Sequence, residues 1–268
     1  MQQARSVFLT NDDSIPSPGL EVLMTVLTGL GFAVTVGIPA TNQSGKSHSI
    51  TLGTLSVTPT RFPQNIPAYV VHGTPVDCVR LALAEYWGPR PAWIVSGINR
   101  GWNVGQHVLT SGTVAAAREA AWYGVPALAL SMADGPVQDG IVSVLVRDLP
   151  AWMTGAAQIP GYYLNINLPS SPARDWHWAD WDPTPGPLAV DTIPGTDVLR
   201  LRMAEPPLIV EKPGAELTDV AWIQRGHIAV SALAARPPAF YPNAAQVPPG
   251  RQAARFCDAQ TIFVHEKE

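Results

Sequence analysis

Two adjacent carboxylates, Asp12 and Asp13, follow the short β-rich run Ser6–Thr10. Side by side at a strand end they repel each other unless something positive lies between them, and a hard divalent cation with oxygen ligands would remove that strain. Asn and Asp are also ordinary turn residues, so the Asn11-Asp12-Asp13 run taken alone reads as a polar turn capping the helix that follows. A second polar segment, Pro39–Ser49 (PATNQSGKSHS), offers hydroxyls at Ser44, Ser47 and Ser49 around a flexible Gly45. Hydroxyls can join a metal's ligands or bond phosphate, yet by itself the segment is a solvated loop, with Lys46 solvated and His48 a structural hydrogen-bonder. A third segment, Ser96–Asn103 (SGINRGWN), carries two amides and an arginine at the end of a strand. Asn99 supplies a neutral oxygen suited to a Mg²⁺-type site, Arg100 either meets phosphate or forms a structural ion pair, and Trp102 either stacks on a base or simply packs. A fourth, Ser111-Gly112-Thr113, opens a helix whose unpaired N–H groups and dipole favour an anion, although these residues cap helices equally well. Together the segments place carboxylates, hydroxyls, an amide and a helix start beyond predicted strands, a combination that suits metal-assisted phosphoryl transfer. The chain has no Cys/His cluster with zinc spacing, no GxSxG elbow and no Gly-rich, Lys-bearing phosphate loop, and no dinucleotide fingerprint follows its first strand.

These segments need a scaffold that brings them to one rim. Strand patterns at Ser6–Thr10, Ala33–Ile38, Ser49–Val57, Tyr69–Val71, Trp93–Val95, Val125–Ser131 and Tyr163–Asn167 alternate with helical ones. Leu20, Leu23, Met24, Leu27 and Leu30 recur at helical spacing before Gly31. Thr74 can cap a helix with Pro75 in its first turn, the Ser111 helix runs through Trp122, and Gly140–Trp152 is helical in periodicity. Alternating strands and helices imply an α/β fold, a Rossmann-like, mostly parallel sheet with helices on both faces, whose ligands bind at the carboxyl ends of strands. Near Pro169 the texture changes, with prolines and tryptophans crowding Pro169–Pro187 and strand patterns at Val198–Met203, Ile228–Leu233 and Thr261–Val264 separated by irregular sequence. The expected organisation is a metal- and phosphate-binding core over 1–170 and an irregular, β-containing C-terminal arm over 171–268 that packs on or swaps with a partner subunit.

Composition narrows the function class. Of 268 residues, 46% are apolar and only 14% charged, with a net charge of −4; an average soluble chain is roughly 25% charged. The low charge suggests surface buried against another subunit, and the absence of a basic cluster argues against a nucleic-acid polymer as ligand. Cys78 and Cys257 form no paired motif, no apolar run is long enough to span a bilayer, and no signal peptide is evident, so a cytoplasmic protein is expected.

The segments NDDSIPSPGL (Asn11–Leu20), NQSGKSHSITL (Asn42–Leu52), GTPVDCV (Gly73–Val79), SGINRGWN (Ser96–Asn103) and SGTVAAAREA (Ser111–Ala120), followed by LNINLP (Leu164–Pro169), resemble in order and spacing the SurE family of 5′/3′-nucleotidases. Thr218–Leu233 (TDVAWIQRGHIAVSAL) extends the resemblance weakly into the C-terminal part. The resemblance implies one divalent metal ion per subunit, Mg²⁺ or Mn²⁺, held by Asp12, Asp13, Ser44 and Asn99, with Asp12 and Asp13 catalytic. It implies phosphate contacts from Ser44, Asn99, Ser111, Gly112 and Thr113, nucleoside monophosphate substrates with short polyphosphate in some members, and a homodimer or homotetramer. Water activated by the metal would attack phosphorus in line. The chain departs from the family at Ser14, where glycine is usual, at Gln106 and His107 in place of two acids, and at Thr110 in place of an aromatic. These departures motivate an alternative, a non-catalytic nucleotide sensor on the same fold; a structural assembly protein using the Pro-rich arm is a further one.

Overall fold

The computed structural model describes residues 5–236 apart from 16, 138–139, 171–174, 187 and 204–216. Alternation in the first strand, β1 (Ser6–Thr10), sends Val7 and Leu9 to one side of a sheet and Phe8 to the other, and all three are buried. Such two-sided burial marks an inner strand covered on both faces. β1 lies parallel between β2 (Ala33–Pro39) and β5 (Trp93–Arg100). Outward from β2 come β4 (Ile66–Val71), parallel, and then β3 (Val57–Phe62), antiparallel at the edge. Outward from β5 come β6 (Ala127–Met132) and β7 (Tyr162–Leu168), both parallel. The sheet does not stop at residue 170: β11 (Ile228–Ala234) pairs antiparallel with β7, and β8 (Trp176–Trp178) pairs parallel with β11, giving nine strands in the order β3-β4-β2-β1-β5-β6-β7-β11-β8. A separate hairpin joins β9 (Leu188–Thr192) to β10 (Leu199–Met203). The expected α/β, mostly parallel architecture is what the chain adopts.

Helices cover both faces. α1 (Pro18–Gly29) and α5 (Ile141–Gln158) pack with Val7, Leu9, Val36 and Ile38 in one core cluster. α2 (Pro75–Leu83) and α4 (Gly112–Trp122) enclose a second cluster around Phe8, Ile94 and Ala129. The small residues Ala116, Ala117 and Ala120 let α4 approach the sheet closely. Thr74 caps α2 in a reciprocal capping box with Asp77, with Pro75 in the first turn, as the sequence pattern predicts. Two short helices complete the described part, α3 (His107–Thr110) and α6 (Asp219–Gln224).

Two expectations need correction, and one lies out of reach. Ser49–Val57 is not a strand; the edge strand begins at Val57. The Ser49 carbonyl accepts from the Thr74 hydroxyl, and the Thr51 N–H and hydroxyl donate to Asp77, so α2's capping residues hold this stretch in place of a ladder. α5 continues past Trp152 to Gln158, where Met153 and Ala156 are buried against the sheet. Thr261–Val264 lies outside the described residues.

A charged knot ties α2, α4 and the loop after β2. Glu119 of α4 accepts from Arg80 Nε at 2.5 Å and from His48 Nε2 at 2.7 Å, and His48 Nδ1 accepts from Arg118 Nε at 2.9 Å. Burial works to raise the Glu119 pKa, but the hydrogen bonds from His48 and Arg80 outweigh it and hold the carboxyl below its ordinary 4.5. A depressed carboxyl contributes stability above its unfolded-state pKa and loses it as pH falls through the folded value. Glu119→Gln should therefore cost about 2 kcal/mol at neutral pH. Urea titrations across pH should show that deficit shrinking below pH 4.5, and a constant deficit would contradict the electrostatic account.

Candidate metal and phosphate site

The direction in which the chain adds strands reverses at β1: β2 and β4 lie on one side of it, β5 and β6 on the other. The crevice beyond the carboxyl ends of β1 and β5 is where an open α/β sheet takes ligands. Asn11 and Asp12 leave β1 fully buried and Asp13 is half-buried, so both carboxyls enter this crevice. Asn99 arrives at the end of β5, and α4 starts beside Asp12.

Asp12 is clamped. Its Oδ1 accepts from Thr113 Oγ1 at 2.6 Å, and its backbone carbonyl accepts from Gln43 N at 2.8 Å. Burial raises its pKa against the Thr113 hydroxyl and the backbone N–H groups of Asp12, Thr113 and Gly112. The first N–H groups of α4 thus already meet an anion, as a helix start favours. Gly112 allows a close approach: a Cβ there would lie 3.0 Å from Asp12 Cβ and 3.1 Å from its Oδ2, so the carboxylate would have to give way by a few tenths of an ångström. Ser111 acts as the helix cap, its hydroxyl accepting from Val114 N at 3.1 Å.

Asp13 is the electrostatically unsettled member. Desolvation first, then the neighbouring Asp12 charge, push its pKa up to about 6, while the Arg100 N–H and guanidinium pull it down. Its Oδ2 is buried with no hydrogen-bond partner, and so is Asn11 Oδ1. Buried polar atoms normally find partners, so orphaned oxygens beside a carboxylate pair suit a hard dication that accepts several oxygen ligands. Asn99 donates its Nδ2 to the Gly101 carbonyl at 2.7 Å, which fixes the amide orientation and leaves Oδ1 as its acceptor atom.

Ser44 sits in an exposed loop that is stitched to the site at both ends. Gln43 N binds the Asp12 carbonyl, while Ser47 N and Oγ bind the Thr110 and Leu109 carbonyls at 2.9 and 2.7 Å. The loop therefore runs from the carboxylate turn to the junction of α3 and α4, with Ser44 between its anchors. One open alternative closes toward structure, since Trp102 packs and donates to the Leu168 carbonyl at 2.7 Å; His48, as expected, is a structural hydrogen-bonder in the Glu119 knot. Arg100 lies 3.6 Å from Asp134, both largely exposed. An open cavity of about 660 Å³ lies along α4 around His48, Arg118, Glu119 and Trp122; none of the predicted ligands lines it.

Sequence reasoning passed over the supports of the segment after β5. Asn103 N donates to Asn167 Oδ1 and Asn103 Nδ2 to Ser131 Oγ, both at 2.8 Å, while Asn165 and Asn167 donate back to the Asn103 carbonyl. Asp219 accepts from Gly105 N at 3.0 Å and Asp182 N at 3.1 Å, and burial pushes its pKa up to about 7 against these bonds. The detectable signal was the pair Asn165 and Asn167, two amides on one face of an otherwise apolar strand.

A family model described as survival protein SurE matches residues 7–183. A "5′-nucleotidase SurE" of Rhodopirellula baltica is 35% identical over 85% of this chain and 91% of its own length. The protein of that name from Legionella pneumophila (strain Lens) is 34% identical over 85% of this chain and 90% of its own. The crystal structure of the SurE protein from Aquifex aeolicus superposes with a TM-score of 0.70 at 27% identity, covering 88% of this chain and 95% of that one.

The turn that aims the carboxylates carries a removable strain. Ser14 adopts φ +69°, the left-handed region that a Cβ disfavours. Ser14→Gly should stabilise the protein by about 1 kcal/mol, relief of strain exceeding the added unfolded-chain entropy. Thermal unfolding should show Tm rising by roughly 2 °C; a fall would mean that the Ser14 side chain contributes more than its backbone costs.

Proposed function

The chain belongs to the survival protein SurE family, and from that membership and the crevice geometry we propose that it is a metal-dependent phosphomonoesterase releasing phosphate from nucleoside 5′-monophosphates, and from 3′-monophosphates where the sugar reaches. The observation that carries this reading is Asp13 Oδ2, a carboxylate oxygen buried without a partner beside a second carboxylate. Asp12, Asp13, Ser44 and Asn99 would hold one Mg²⁺ or Mn²⁺. When bound, that ion supplies positive charge for a phosphate oxygen and a lowered pKa for water.

The residues themselves do the rest. Asp12, tied to Thr113 and to α4, keeps a fixed position. Asp13 has the uncommitted oxygen and is the better placed of the two to take a proton from the attacking water. The start of α4, with Ser111, Gly112 and Thr113, already holds Asp12, and its dipole would favour the negative charge of a phosphate brought beside that carboxylate. The Gln43–Ser47 loop is held at Asp12 and Thr110, with Ser44 between those anchors. Direct attack by water is preferred over an aspartyl-phosphate, because Asp12 would be held by Thr113 and the cation while the free oxygen of Asp13 serves as base.

We further propose that the chain acts in the cytoplasm as a homodimer or homotetramer, with a core over 1–170 and an oligomerising arm drawn from 171–268. No described helix is long and apolar enough to cross a membrane. Val190, Val198 and Leu199 leave large apolar side chains exposed on and beside the β9–β10 hairpin, a surface suited to a partner. Light scattering should report a dimer or tetramer that shifts toward monomer in Val190→Glu combined with Leu199→Glu; a monomeric parent would refute the assembly.

For the activity, a panel of 5′- and 3′-nucleotides with Mg²⁺, Mn²⁺ or EDTA should release phosphate only with metal. Asp12→Asn should lower kcat/KM by on the order of 100-fold or more. Nucleotide binding without phosphate release under every metal would favour the sensor instead.

A further inference from the structure

The far edge of the sheet gathers three side chains that the crevice does not use. Asp175 precedes β8, His177 lies within it, and His227 precedes β11. Backbone pairing holds them in register: Ile228 N donates to the Asp175 carbonyl at 3.2 Å, and Ala229 stands opposite His177. The His227 backbone N–H donates to the Trp222 carbonyl at 3.0 Å and its ring packs edge-on against the Trp222 indole at 5.2 Å, while the His177 ring stacks on that indole at 3.7 Å with an interplanar angle of 1°. Neither imidazole is therefore a freely rotating surface group.

Their ligand atoms converge. Asp175 Oδ1 lies 2.6 Å from His227 Nδ1 and Oδ2 lies 3.2 Å from His177 Nε2, and the atoms one group can offer an ion lie within 4.8 Å of one another. Tetrahedral ligands at zinc distances stand about 3.3 Å apart, so closing on an ion asks for shifts of an ångström or so. His177 Nε2 is buried and makes no properly directed hydrogen bond despite the nearby carboxylate. A ring nitrogen closed to solvent and only poorly aligned with its carboxylate neighbour is under-satisfied, and a cation would satisfy it. Two imidazoles and one carboxylate suit Zn²⁺, Co²⁺ or Ni²⁺, and suit Mg²⁺ or Ca²⁺ poorly because those ions demand oxygen.

We propose that Asp175, His177 and His227 form a second cation site, separate from the Asp12–Asp13 crevice, that binds a transition-metal dication such as Zn²⁺ and locks the start of β8 to β11. Each ring binds as a neutral tautomer; the His227 proton now facing Asp175 moves to Nε2 through solvent. Three protein ligands leave a fourth position for water. The pin fastens the edge of the sheet beside α6, whose Asp219 holds the Gly105 segment.

The test uses the full chain stripped with EDTA and held in excess Mg²⁺, so that the oxygen-lined crevice is occupied by the ion it prefers. Zn²⁺ competed against a chelator should bind at one equivalent, and Co²⁺ should give visible d–d bands. His177→Gln and His227→Gln should each weaken binding by more than the 10- to 100-fold that loss of an outer partner costs. Asp12→Asn should leave it unchanged, which separates this site from the nucleotidase reading. X-ray absorption of the zinc-loaded parent, which requires no variant to fold, should show two imidazoles. Binding no tighter than the Mg²⁺ background, an oxygen-only coordination sphere, or loss of Zn²⁺ in Asp12→Asn would each overturn the proposal.

Discussion

Repulsion between two carboxyls in a space with little water is the constraint around which this molecule is arranged. Asp12 and Asp13 leave β1 together, burial raises the pKa of each, and the nearest full positive charge, Arg100, is largely exposed. The fold answers half of the problem itself: Thr113 and the first N–H groups of α4 stabilise Asp12. It leaves the other half open at Asp13 Oδ2. A site that satisfies one carboxylate and not its neighbour holds a rigid ligand beside a group in need of a cation, and the proposed phosphatase chemistry uses both conditions.

Much of the remaining structure keeps that pair in place. A Cβ at 112 would crowd Asp12, and the alanine-rich face of α4 lets the helix sit close to the sheet with its N-terminus at the carboxylate. The loop carrying Ser44 is fastened to Asp12 at one anchor and to the α3–α4 junction at the other, so a polar, exposed segment has a defined place without a core of its own. The segment that follows Asn99 is supported by the buried network of Asn103, Asn165, Asn167 and Ser131, in which Asn165 Oδ1 is left without a partner. Asp219 reaches in from α6 to bind Gly105, so a described part of the chain after residue 170 braces the segment beside the crevice.

The core pattern was legible because each strand's alternation or full burial, and each helix's capping residues, are local properties. β1 with its Val7, Phe8 and Leu9, the Thr74-Pro75 helix start and the Ser111 cap all stand where the sequence places them. Ser49–Val57 misled because alternation alone does not tell a strand from an irregular stretch whose hydrogen bonds go to a helix cap; the partners Thr74 and Asp77 lie some 25 residues away. The placement of β8 and β11 beside β7 was equally invisible, since strand order is a long-range choice.

By itself the sequence determined the alternation of strands and helices, the chemical types at the strand ends, and, through ordered motifs, the family. Only the tertiary structure decided that Asp12 is held by Thr113 while Asp13 Oδ2 has no partner, that Trp102 is structural, and that Asp175, His177 and His227 meet at all. The physical reason is one of range. Propensity, capping and periodicity act within a few residues, whereas solvation, hydrogen-bond satisfaction and metal-ligand geometry depend on which distant segments the folded sheet brings within a few ångströms.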